Sequence, residues 1–108
     1  MKTHLYIEEI HLQMIKDIIR SIYPKATVLA YGSRVNGNDV IAHEGSDLDL
    51  AVVDFGIEKG YIYKLKEQFS QSNIPFLVDI FDYKSLPQSF QDEIDRKNFV
   101  VYDGKYII

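Results

Sequence analysis

Asp47 and Asp49 stand two residues apart at the mouth of the apolar run LDLAVV, residues 48 to 53. A run of that composition predicts a buried strand, and alternate residues of a strand share a face. The two carboxylates therefore point one way, and Leu48 and Leu50 the other. Like charges so placed repel and raise each other's pKa unless a cation sits between them. A third acid, Asp79, lies inside FLVDIFDY, residues 76 to 83, where a carboxylate without a partner is costly. If the two strands lie side by side, Asp79 joins the pair on one face. Three hard oxygen donors with no His or Cys suit Mg²⁺ or Mn²⁺ better than Zn²⁺. Carboxylates that leave coordination positions for substrate oxygens are the usual plan of two-metal phosphoryl chemistry. Asp82 and Asp54 fall on the opposite face by the same alternation and read as structural.

Upstream, TVLAYGSRVNG, residues 27 to 37, runs from a strand into Gly32 and Ser33. Glycine permits a tight turn and a close backbone approach. If Ser33 opens a helical turn, its free N–H groups and hydroxyl can hold a phosphate. Arg34 adds a positive charge of a shape that suits phosphate.

These residues need a frame. Residues 4 to 22 carry a helical stripe of Ile7, Ile10, Met14, Ile15, Ile18 and Ile22, closed by Pro24, with Leu5 and Leu12 off the stripe and Thr3 as a candidate cap. A strand at 27–31, a loop at 33–46 and the strand LDLAVVD follow. A helix at 61–72 carries Ile62, Leu65 and Phe69. A strand at 76–83, a helix at 85–98 with Pro87 near its first turn, and a strand at 99–102 complete the chain. The order predicts one two-layer α/β (α+β) domain spanning 1–108, a small mixed sheet with helices packed against it. Strands joined through a helix are expected to be parallel, and the first two, joined by a loop, antiparallel.

Composition narrows the function. The 108 residues carry a net charge of −4, which argues against broad nucleic-acid binding. The absence of cysteine excludes disulfides, thiolate metal sites and cysteine catalysis. With no signal-peptide pattern and no long apolar run, a soluble cytoplasmic protein is expected and no membrane partner. His4, His11 and His43 have no metal-ligand spacing; the first two read as solvated, while His43, in the loop, is within plausible reach of a bound nucleotide.

Taken together, YGSRVNG (31–37), SDLDLAVV (46–53) and LVDIFD (77–82) resemble the nucleotidyltransferase superfamily that includes DNA polymerase β, and within it the minimal nucleotidyltransferases. The resemblance covers most of the chain. It implies that Gly32 and Ser33, with Arg34, grip the triphosphate of a nucleotide, expected to be ATP. It implies that Asp47 and Asp49 bind Mg²⁺ (or Mn²⁺) and that Asp79 binds the catalytic metal and helps activate the attacking hydroxyl. AMP then passes to an acceptor and pyrophosphate leaves. Many relatives carry a second basic residue where this chain has Asn36; Lys25, Lys59 and Lys64 are candidates to compensate. Small members of this kind form half of two-gene toxin–antitoxin systems with an all-helical partner, often HEPN-type, so such a partner or another substrate-binding protein is expected, and a homo-oligomer is allowed. Tyrosines and apolar residues of helices 61–72 and 85–98 are candidates for that interface, though core packing is the better account of each one. A second reading stays open: a module, weakly active or inactive, that neutralises a helical partner by complex formation alone.

Overall fold

The computed structural model describes residues 3–36, 47–53 and 59–106. Its elements are β1 (His4–Leu5), α1 (Glu9–Ile22), β2 (Thr27–Tyr31), β3 (Val35–Asn36), β4 (Leu48–Val52), α2 (Lys59–Gln71), β5 (Val78–Asp82), α3 (Gln88–Arg96) and β6 (Phe99–Asp103). Short 3₁₀ turns follow β5 at Tyr83–Ser85 and β6 at Gly104–Tyr106.

Four strands make the central sheet in the order β5-β4-β2-β6. The loop-joined pair β2 and β4 is antiparallel, as expected, and β4 runs parallel to β5 across the α2 crossover. β6 pairs antiparallel with β2 on the far side, so it points the same way as β4 and β5 without touching them. The sheet is mixed and two-layered on its main face. There Leu48, Leu50, Val52, Ile80, Val28 and Ala30 meet Leu12, Ile15 and Ile19 of α1 and Ile62, Leu65 and Phe69 of α2 in one apolar cluster. The strand residues of this group are fully buried. Burying each large side chain contributes roughly 1.5–3 kcal/mol, which makes the sheet a rigid base. Among the described residues, the opposite face is covered by α3, whose Ile94 packs with Tyr31 and Ala51.

Four expectations change. The first helix begins at Glu9, because His4 and Leu5 form a ladder with Asn36 and Val35. The Thr3 hydroxyl donates to the Asn98 carbonyl at 2.7 Å and so does not cap α1. The buried stripe of α1 is accordingly Leu12, Ile15 and Ile19, while Ile10 is 65% exposed; five positions before Ile15, Ile10 lies on the far flank at 3.6 residues per turn. The helix expected from Ser85 is split. Asp82 accepts from the Lys84 amide at 3.3 Å and closes a 3₁₀ turn. Pro87 then starts α3, since it has no N–H to leave unsatisfied. Asp82 is thus structural, as expected; Asp54 and His43 lie outside the described residues.

Candidate active site

The site grows from the strand register. In the parallel pair, Asp49 stands opposite Asp79; in the antiparallel pair, Asp49 stands opposite Tyr31. Register partners present their side chains to the same face. Asp49 is therefore flanked by Asp79 on one side and by the end of β2 on the other, with Leu48 and Leu50 sealing the opposite face.

Tyr31 leads into Gly32, which adopts φ +84°, a left-handed conformation natural to glycine alone. A Cβ on Gly32 would come within 2.7 Å of the Asp49 carboxylate oxygen Oδ2. The backbone of the glycine–serine turn thus lies directly against the central acid. The turn is tight rather than helical: the Val35 amide donates to the Gly32 carbonyl at 3.0 Å, and the chain goes straight into β3. Ser33 is exposed at its tip. A phosphate held here would meet the backbone of a turn and the Ser33 hydroxyl rather than the end of a helix.

Arg34 departs from the expectation. Only 8% of it is exposed. Its Nη1 donates to the Tyr6 carbonyl at 2.8 Å and its guanidinium lies 4.1 Å from the Phe76 ring centroid. Burial lowers its pKa, against which the nearby Asp47 carboxylate acts. The charge sits beside the acid strand, but the side chain faces inward.

The electrostatics centre on Asp49. Burial, then Asp79, Asp47 and Glu93, push its carboxyl from 3.8 up to about 6. Tyr31, buried at the same spot, is pushed up to about 12 by burial, Asp49, Glu93 and Asp79 in that order. Glu93 and Tyr31 are site neighbours that sequence reasoning missed. Tyr31 had a signal, as the strand residue just before Gly32. Glu93 had none, because only the docking of α3 on β2 brings it to the acids.

Asp49 and Asp79 form the near pair, and Asp47 is exposed, two residues up the strand, a rise of about 7 Å. Among the described residues no three His, Cys, Asp or Glu side chains already stand close enough to hold a metal ion together. In donor type the acids fit a hard divalent cation; Asp49 and Asp79 are register partners on neighbouring strands, and Asp47 stands one residue before β4. Two concavities flank the β5 edge. One of about 540 Å³ has Asp79 in its wall, with Phe76 and Leu77. The other, about 240 Å³ and lined by Tyr63, Lys66 and Phe81 among others, contains none of the candidate residues.

The histidines divide. His4 is exposed as expected, whereas His11 is half-buried and meets the Phe76 ring edge-on at 5.8 Å. Of the helix residues considered for an interface, Ile62, Leu65 and Phe69 belong to the core, while Tyr63 and Phe90 are exposed, at 68% and 45%.

Comparison with known proteins gives the family. A family model described as "Polymerase beta, Nucleotidyltransferase" matches residues 13–106. The "Probable protein adenylyltransferase MntA" of Haemophilus influenzae is 39% identical over 108 residues, covering 95% of this chain and 88% of its own length. A solved complex of a tri-AMPylated Shewanella oneidensis HEPN toxin with its MNT antitoxin matches with a TM-score of 0.65 at 17% identity, over 90% of this chain and 73% of that one. A toxin–antitoxin structure with AMP-PNP matches with a TM-score of 0.62 at 20% identity, over 85% and 73%. At those identities the structural likeness is one of fold. The match to the family model along nearly the whole sequence, and the identity with a full-length relative, go further: this chain belongs to the polymerase β nucleotidyltransferase family.

Proposed function

We propose that this protein is a Mg²⁺-dependent adenylyltransferase that moves AMP from ATP onto a hydroxyl of a small helical HEPN-type partner, acting in the cytoplasm as one half of a toxin–antitoxin pair. The observation that carries the reading is the register that sets Asp49 beside Asp79 with the Gly32 backbone against it. The name of the Haemophilus influenzae relative, a probable protein adenylyltransferase, and the AMPylated HEPN toxin of the fold neighbour support the choice of AMP and of partner.

In this reading Gly32 and Ser33 bind phosphate oxygens through backbone amides and the hydroxyl, and fix the nucleotide's orientation. Asp49 and Asp79, joined by Asp47, hold the divalent cations. When bound, these offset the charge that develops on the phosphates and leaving group. Asp79, at the open edge strand, accepts the proton of the acceptor hydroxyl as its oxygen attacks the α-phosphorus. Pyrophosphate departs, and the phosphorus–oxygen bond to the acceptor replaces the one to the leaving group.

The test is label transfer. With Mg²⁺ and α-labelled ATP, the protein is incubated alone and with its neighbouring gene product. Labelling of the partner by the unmodified protein, lost in Asp79→Asn with the complex still formed, is the expected outcome. A complex that forms without labelling, even by the unmodified protein, would replace this reading with that of a module acting by complex formation.

A further inference from the structure

We propose that Arg34 is a positioning residue, which holds the Gly32–Ser33 turn in place by tying it to Tyr6, just after the N-terminal strand, and to Phe76 at the approach to Asp79. This rests on the nucleotidyl-transfer reading and assigns Arg34 a different task from the phosphate ligand its place in the sequence implies.

The tie is reciprocal. The Tyr6 amide donates to the Arg34 carbonyl at 2.8 Å, and Arg34 Nη1 donates back to the Tyr6 carbonyl at 2.8 Å. One residue is thus gripped through both main chain and side chain. Two positions before Arg34 lies Gly32, whose backbone touches Asp49. Just after it, β3 pairs with β1. The guanidinium covers the Phe76 ring at 4.1 Å, and the His11 ring stands nearly perpendicular to it with centroids 5.8 Å apart. From Phe76 the chain passes to Leu77, whose carbonyl accepts the Leu48 amide at 2.9 Å, and then enters β5 and reaches Asp79. Arg34 therefore touches both segments that must meet across β4, the one carrying the phosphate turn and the one carrying Asp79.

The chemistry favours arginine for this work. Its planar cation can lie over an aromatic face while the N–H groups at its own rim reach a carbonyl, a combination that lysine lacks. At 8% exposure, Arg34 is set as a strut beneath the turn. Ser33, exposed at the tip, remains the group presented to an anion.

The experiment compares Arg34→Ala, Arg34→Lys, Phe76→Leu and the double variant Arg34→Ala/Phe76→Leu. Three quantities are read: the KM for ATP, kcat for partner labelling, and amide hydrogen exchange at Tyr6 and Val35. A strut predicts that all three single variants raise KM by about tenfold, the equivalent of one partly desolvated cation–π contact. The double variant should be little worse than either alone, because one interaction is lost once. At saturating ATP, kcat stays within about twofold. Exchange at Tyr6 and Val35 quickens in each variant while that of Leu50 in β4 does not. A phosphate ligand predicts the reverse pattern: Phe76→Leu leaves KM unchanged, and Arg34→Lys retains much of the affinity. That result, or unchanged exchange at Tyr6 and Val35 in Arg34→Lys, overturns the proposal. If the unmodified protein binds no ATP, the nucleotidyl-transfer reading fails, and the exchange data alone then decide whether Arg34 holds the turn.

Discussion

At Asp49 three carboxylates act on a fourth group already half withdrawn from water. Burial first, and then Asp79, Asp47 and Glu93, raise its pKa from 3.8 to about 6. The folded protein consequently holds this proton more tightly than the unfolded chain does. Below pH 3.8 both states are protonated and the group favours neither. Between 3.8 and about 6 the unfolded chain ionises first, so stability falls as pH rises. Above about 6 the folded state carries the whole electrostatic cost, on the order of 1–2 kcal/mol once solvent screening of a half-buried group is allowed for. Asp49→Asn keeps the shape and removes the charge. In urea unfolding with EDTA the variant should be more stable than the unmodified protein at pH 8, by about 1–2 kcal/mol, and the difference should shrink as pH falls toward 4. A difference that does not vary with pH would mean that Asp49 is not ionised against its neighbours. The same carboxylate that destabilises the metal-free protein is the one best placed to grip a cation, the relation expected where function and stability pull apart.

α3 does the positioning on the acid face. Its Ile94 is fully buried against Tyr31 and Ala51. Its end is fixed by the Asn98 amide donating to the Ile94 carbonyl at 2.8 Å, and by the Thr3 hydroxyl donating to the Asn98 carbonyl. Ile94→Ala should therefore cost about 2–4 kcal/mol in urea unfolding, with hydrogen exchange quickening most along Gln88–Arg96; an equal loss of protection throughout the sheet would show that α3 does not open as a unit. α3 also marks where the sequence stopped being legible. The strands were readable because alternation is local: 48–52 bury every second residue against the helices and leave Asp49 on the other side. The pairing of Asp49 with Asp79 followed as an inference from two such strands. β1 was not readable. It is two residues long, and its pairing with Val35–Asn36 is a contact across some thirty positions that no local pattern carries, so its residues read as the start of α1. The inward turn of Arg34 escaped for the same reason, since Tyr6 and Phe76 meet it only in three dimensions. Glu93 joined the acids only through the docking of its helix.

Across the whole molecule, the candidate site draws on residues from Tyr31 to Glu93 in sequence, brought together only by the order β5-β4-β2 and the seat of α3. The unfolded chain has no such site, so a ligand that binds there stabilises the fold by mass action. Charge decides which ligand this is. The chain carries −4 overall, and the groups around Asp49 are acidic, so free ATP meets repulsion at the place where its phosphates must sit. Mg²⁺ and ATP together should therefore raise Tm far more than the sum of either alone. At a hundred times Kd the gain is about 2.7 kcal/mol, which in a domain near this size moves Tm by roughly 10 °C or more. Asp79→Ala and Asp47→Ala should each remove most of the joint effect while leaving the fold intact, because neither side chain belongs to the main apolar cluster. Measured by scanning calorimetry, a full shift that persists in both variants would detach the nucleotide from the acids. A shift given by ATP without Mg²⁺ would relocate the triphosphate away from them, onto basic side chains elsewhere on the surface.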